Sequence, residues 1–174
     1  MKLKIALLLF MVAGAFSGQA QQTPDQSAKN KIAAAKIIKA FDAGDTQAFD
    51  NLIAKDVVSH SEMPPGIKST GLEAVKEMCK MNKKAFPDMK SVVHTIATAG
   101  ATVMVFYTSE GTNSGEFYGM PATNKTIKTD GVDIMRFQNG KAVEHWGVYD
   151  SMKMMQQLGL LPPPPPPTEN KKNN

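Results

Sequence analysis

The sequence predicts an α+β domain in which a curved antiparallel sheet wraps around N-terminal helices and closes a cone. Three observations carry this. Apolar residues recur at helical spacing before Pro87, β-branched and aromatic runs follow it, and Asn139-Gly140 marks a hairpin near the end. Helices first and antiparallel strands afterwards leave the helices on one face of the sheet, with an apolar hollow between them and the concave side.

Thr23-Pro24-Asp25-Gln26 reads as a capping box with Pro at the first helical position, and Ala34, Ile37, Ile38 and Phe41 keep helical spacing up to Gly44. Asp45 caps a second, shorter helix whose apolar stripe is Phe49, Leu52 and Ile53. Asp56-Val57-Val58-Ser59-His60 is short and β-branched, which predicts a strand. Met63-Pro64-Pro65-Gly66 excludes regular structure, so His60 and Glu62 stand at the mouth of a loop.

Thr70-Gly71-Leu72-Glu73 is a second capping box; it opens a helix with Val75, Met78, Cys79 and Phe86 inward, and Pro87 stops it. Strands are expected over residues 91–98 and 102–109, joined at Ala99-Gly100-Ala101. A loop bearing Gly111, Gly115, Gly119 and Pro121 then leads into strands over 126–137 and 141–149, before a short closing helix. There is no internal repeat.

Both ends of the 174 residues fall outside this domain. Residues 1–20 place Lys2 and Lys4 before an apolar stretch too short to span a bilayer, then the small residues Gly18 and Ala20. This order predicts a cleaved secretory signal, a mature chain from about Gln21 and a secreted or periplasmic protein; a retained N-terminal anchor is the other reading. Residues 162–174 begin with six prolines and end in polar residues, a stiff spacer or disordered tail, or a ligand for a proline-binding groove.

The formal charge of +4 is mostly an end effect. Residues 21–161 carry 16 basic and 15 acidic side chains, a balance that excludes an electrostatic footprint for nucleic acid. No stable membrane insertion is expected once the signal is removed. The single thiol, Cys79, rules out an internal disulfide and sits at helical spacing from Val75, as a packed, inert side chain would.

The chemistry concentrates in the last hairpin. A two-residue type I′ turn would pair Asp133 with Trp146, whereas a three-residue 138–140 loop with Gly140 in the left-handed position pairs Asp133 with His145. The second register is expected, and it puts Asp133, Met135, Phe137, Val143, His145 and Gly147 on one mostly apolar face. An interior carboxylate beside an imidazole makes an acid–base pair, or else a purely structural hydrogen bond. His60, across the pocket mouth, completes the constellation.

Two His and one Asp also suit a facial metal site, but the spacing is non-local and lacks an HxH or HExxH signature, so no metal is expected. Trp146 and Glu144 belong to the opposite face, Trp146 in an interface or under a helix, with Arg136 paired to Glu144 across the hairpin. Glu116 and Tyr118 flank loop glycines, either at the pocket rim or in solvent. The 12 methionines read as adaptable packing and pocket lining.

Six segments together resemble the SnoaL-like polyketide cyclases, or ester cyclases, of the nuclear-transport-factor-2-like superfamily: HSEMPPG from His60, AFPD from Ala85, GTNSGEFYGMPAT from Gly111, DIMRFQNGK from Asp133, EHWGVYD from Glu144 and QQLG from Gln156. They run in family order across nearly all of residues 27–161. The resemblance implies an NTF2-like cone, a homodimer formed through the outer sheet face, and a pocket for a small apolar molecule. It also implies a cofactor-free intramolecular aldol closure of an aromatic polyketide ester, in which a carboxylate moves the protons and no metal is needed.

Carried over by position, the family's acid–base carboxylate falls on Gly147, a supporting His on Asp133 and an Asn on His60. The frequent GTH reads GTN here, with Asn113 in the place of an imidazole. Two functions follow as expectations. One is an exported acid–base enzyme acting on a carbonyl or ester compound, with Asp133, His145 and His60 catalytic and Asn113, Glu116, Tyr118, Met135 and Phe137 touching ligand. The other is a binding module that keeps the pocket and has lost the family carboxylate.

Overall fold

This computed structural model describes residues 23–61 and 63–162; the expected signal segment, Glu62 and the tail beyond Pro162 lie outside the described residues. The first helix, α1 (Pro24–Ala43), starts where the capping box predicts, with the Gln26 N–H donating to Thr23 Oγ1 at 3.3 Å. It buries Ala34, Ile37 and Ile38. Asp45 Oδ1 accepts the N–H groups of Gln47 and Ala48, each at 3.1 Å, ahead of the single-turn α2 (Phe49–Leu52).

Strand β1 (Ile53–Ser59) begins three residues before the expected 56–60. Ile53 therefore joins the sheet rather than the helix, and is buried there as a β-branched side chain. Helix α3 (Gly71–Ala85) starts after Thr70, but the Thr70 side chain makes no capping hydrogen bond. Its position is set instead by the buried Leu72, Ala74 and Cys79 and by the stop at Pro87. Cys79 is fully buried, and burial pushes its thiol up to about 11.

Strands β2 (Lys90–Ala99), β3 (Thr102–Thr112), β4 (Thr126–Gln138) and β5 (Lys141–Tyr149) follow, then α4 (Ser151–Leu158), capped by Asp150 accepting the Lys153 N–H. The five strands form one curved, unclosed sheet in the order β1-β5-β4-β3-β2. It is antiparallel except where β1 runs parallel to β5, a pairing open to a strand delivered by a long connection and not by a hairpin.

The final hairpin corrects the expected register. Asn139 and Gly140 have φ of 51° and 78°, so they form the two-residue type I′ turn, and Gln138 pairs with Lys141. A bulge then adds one residue to β5 between the Phe137↔Ala142 and Arg136↔Glu144 pairs. Turn and bulge together shift the pairing by two residues from the expected register. Asp133 lies opposite Gly147, and His145 opposite Met135. An even shift keeps every outer residue on its expected face, so Asp133 and His145 become diagonal neighbours. Only the bulged stretch changes: Ala142, 2% exposed, takes the inward place expected of Val143.

The main core packs Ala34, Ile37, Phe49, Ile53 and Val57 against Val103, Val105, Met135, Phe137 and Ala142. A smaller one gathers Ala85, Phe86, Phe117, Ile127 and Leu158. Among the described residues, no helix is long and apolar enough to cross a membrane.

Candidate functional site

A hollow of about 1510 Å³ is bounded by α1, β1, the loop from Met63, α3, the inner sheet face and α4. Strand pairing lays its floor out in rows. Val105, Asp133 and Gly147 are aligned across β3, β4 and β5, and the next row is Tyr107, Gly131 and Tyr149. Period-2 alternation sends all six to one face.

The two glycines explain how the tyrosines fit. A Cβ on Gly131 would come within 2.9 Å of Tyr107 Cζ, and one on Gly147 within 2.5 Å of Tyr149 Oη. Each ring therefore occupies the space over the glycine of a neighbouring position. Tyr149 reaches past Gly147 to donate its hydroxyl to Asp133 Oδ1 at 2.8 Å, and His145 Nε2 lies 2.9 Å from the same oxygen. Asp133 is 7% exposed, so both contacts occur with little competing water.

The phenols respond to this setting. Burial, with the Asp133 charge acting second, holds Tyr107, 7% exposed, well above the ordinary phenol range; Tyr149 is 49% exposed as a residue, but its hydroxyl is turned in to Asp133 and is shifted the same way. Burial pushes Tyr118, which also lines the hollow, up to about 12. The chain has three tyrosines, and all three are shifted the same way.

A raised phenol binds its proton more tightly in the folded state, so its contribution to stability is complete below the unfolded value near 10 and is lost as pH rises above it. In an alkaline titration followed by phenolate absorbance, the folded protein is expected to pass pH ~10 without ionising Tyr107 or Tyr118. Both should then ionise together on alkaline unfolding. More than one tyrosine titrating at the ordinary value in folded protein would contradict this burial.

Ser61 ties the end of β1 to this floor: its Oγ accepts the Gly147 N–H at 2.7 Å and donates to the Gly147 carbonyl at 3.3 Å. His60 goes elsewhere. The parallel register pairs Ser59 with His145, so the next residue faces outward. There the His60 ring stacks on Trp146 with centroids 4.3 Å apart, and its Nε2 lies 3.3 Å from Glu144 Oε2. Arg136 Nε donates to Glu144 at 2.9 Å, and Arg136 foremost, then His60, holds that carboxyl below its usual range. His60 is thus separated from Asp133 and His145 by the sheet.

The expected ligand-contact residues also divide. Tyr118 and Met135 line the hollow. Phe137, 1% exposed, is spent in the main core. Asn113 is buried as a loop brace, donating to the carbonyls of Gly115 and Ala85 and accepting from the Thr123 N–H and hydroxyl. Glu116 is exposed on the loop and is not part of the lining.

Sequence reasoning missed Tyr107 and Tyr149. The signal was present: Tyr149 shares the parity of His145 and Gly147, and Tyr107 that of Val103 and Val105. Among the described residues, no three His, Cys, Asp or Glu side chains gather closely enough to hold a metal ion. The arrangement places an acceptor carboxylate, two protonated phenols and an imidazole on one wall of an otherwise largely apolar cavity. That set can take a proton from carbon and donate hydrogen bonds to a developing oxyanion.

Residues 31–158 match the family model described as SnoaL-like polyketide cyclase. The nogalonic acid methyl ester cyclase of Streptomyces nogalater is 26% identical over 124 residues, covering 71% of this chain and 92% of that protein. Among solved structures, IdmH of Streptomyces antibioticus, a candidate polyketide cyclase, superposes with a TM-score of 0.64 at 29% identity, covering 75% of this chain and 98% of its own. AclR of Streptomyces galilaeus, a candidate hydroxylase, gives 0.68 at 26% identity, with coverage of 80% and 87%. TsrD of Streptomyces laurentii, at 19% identity and a TM-score of 0.70 over 77% of this chain and 97% of its own, shares the fold.

Proposed function

This chain belongs to the SnoaL-like polyketide cyclase family, and we propose that it is a cofactor-independent acid–base enzyme acting on a small, largely apolar carbonyl or ester compound held in the hollow. The observation that carries this is the convergence of Tyr149 and His145 on one oxygen of the buried Asp133. Asp133 removes a proton from the carbon beside a carbonyl. Once Asp133 holds that proton, the single hydroxyl protons of Tyr149 and Tyr107, both retained throughout the neutral range, are free to turn from the carboxyl group to the enolate oxygen as charge develops there. His145 orients the carboxylate and exchanges its proton. In an intramolecular aldol closure the carbanion then attacks a second carbonyl, and Asp133 returns the proton to the new alkoxide, so no atom is lost.

A second reading has its own support. By the resemblance the family carboxylate's position falls on Gly147, and the Tyr149 ring fills the space above it. A module that binds a similar molecule without turning it over would carry this same substitution. Export of the mature chain belongs to both readings, supported by the order of charged, apolar and small residues in 1–20.

Two compounds separate the readings: nogalonic acid methyl ester, taken from the name of the Streptomyces nogalater relative, and the apolar molecule extracted from protein purified from its own host. An enzyme is expected to convert at least one of them, an aldol closure giving a product of unchanged mass. Tight retention of both without conversion would leave the binding module.

A further inference from the structure

The hollow contains a second polar group, remote from Asp133, that the acid–base step does not use. Ser91, Ser109 and Thr129 are paired side by side across β2, β3 and β4, and all three line the cavity. Asp42, from the last turn of α1, closes the row. Its Oδ2 accepts the Ser91 N–H at 2.7 Å, its Oδ1 accepts the Ser91 hydroxyl at 2.8 Å, and the Ser91 and Ser109 hydroxyl oxygens are 2.8 Å apart.

Proton counting fixes the direction of this chain. A carboxylate only accepts, and a serine hydroxyl has one proton to give. The Ser91 proton is committed to Asp42, so the Ser109 hydroxyl must donate to Ser91. What Ser109 turns to the cavity is then lone pairs. Burial raises the Asp42 carboxyl, while the two Ser91 hydrogen bonds and the Lys83 ammonium favour its charge. At Ser109 this end of the hollow is built to accept a hydrogen bond.

Its distance from the acid–base end follows from the strand. Thr129 and Asp133 are four residues apart on β4, roughly 13 Å at the usual rise of ~3.3 Å per residue. The row of Tyr107, Gly131 and Tyr149 lies between them. Met78, Met89 and Met154 also line the cavity, thioethers that adapt to flat ring systems.

We propose that the Ser91–Ser109–Thr129 row is a subsite for a phenolic or alcoholic hydroxyl at the far end of an elongated fused-ring ligand whose reacting carbonyl lies against Asp133. This rests on the hollow being the ligand site, and its test is separable from turnover. A donor at that end satisfies the Ser109 lone pairs, and a methyl ether there places two acceptors against each other.

The probes are 2-hydroxyanthraquinone and 2-methoxyanthraquinone, titrated against the full chain and followed by ligand absorbance. Wild type is expected to bind the hydroxyl compound about tenfold more tightly. Ser109→Ala should bring the two affinities within about twofold. Ser91→Ala should reduce the preference as well, because Ser109 regains a proton to donate; it carries the test if Ser109→Ala fails to fold. Asp133→Asn should leave the preference intact even if all turnover is lost, which distinguishes failure of the enzyme reading from failure of the subsite. Equal binding or no binding of the two probes by wild type, a preference surviving in either folded serine variant, or its loss in Asp133→Asn would overturn the proposal.

Discussion

Asp133→Asn is expected to lower turnover by about 10²- to 10⁴-fold, the usual contribution of a positioned acid–base group, while changing ligand affinity only a few-fold. Asparagine keeps the size of the side chain and one carbonyl oxygen, so Tyr149 still has an acceptor. What it removes is the ability to hold a proton taken from carbon. A kcat that falls while KM holds separates this from a general loss of binding. A variant that melts like the wild type and turns over at the wild-type rate would remove Asp133 from the chemistry.

Phe49→Ala is expected to cost about 3–5 kcal/mol in urea unfolding, the range for deleting a buried aromatic ring. Phe49 is fully buried at the start of α2, with its ring centroid 5.7 Å from that of Phe41. It packs in the same core as Ile37 of α1, Ile53 of β1 and Ala142 of β5, so collapse around the cavity would have to move several elements at once. A loss under ~1 kcal/mol would mean that this corner repacks freely and does not hold the helices on the sheet.

The sequence made the order and type of the elements legible because their signals are local. Thr23 and Pro87 mark helix limits through hydrogen bonds and steric exclusion within a few residues, whereas Asp45 caps the turn at 46–48 and not α2 itself, whose N-cap is Ala48. The hairpin register was harder, since turn and bulge act together: Asn139-Gly140 advertises the turn, but nothing in 141–144 advertises the extra residue in β5. Face membership survived because the combined shift is even.

The site was legible where it depended on alternation along one hairpin, as for Asp133 and His145. It was illegible where it depended on which face a distant strand presents. His60 required knowledge that β1 runs parallel beside β5 with Ser59 at His145. Tyr107 and Tyr149 required knowledge that the Tyr107 ring lies over the glycine opposite it and the Tyr149 ring over the glycine of the adjoining row. Asn113, polar and beside glycines, resembles a binding residue in sequence, but its amide is consumed bracing its own loop.

The most direct measurement is a long-range ¹H–¹⁵N correlation of the histidine side chains in wild type and Asp133→Asn. With Nε2 of His145 donating to a carboxylate inside the hollow, the wild type should give one slowly exchanging, downfield Nε2–H that the substitution shifts or removes, while the His60 and His94 signals stay in place. A His145 signal in fast exchange with solvent and indifferent to the substitution would contradict the meeting of the two groups in the cavity.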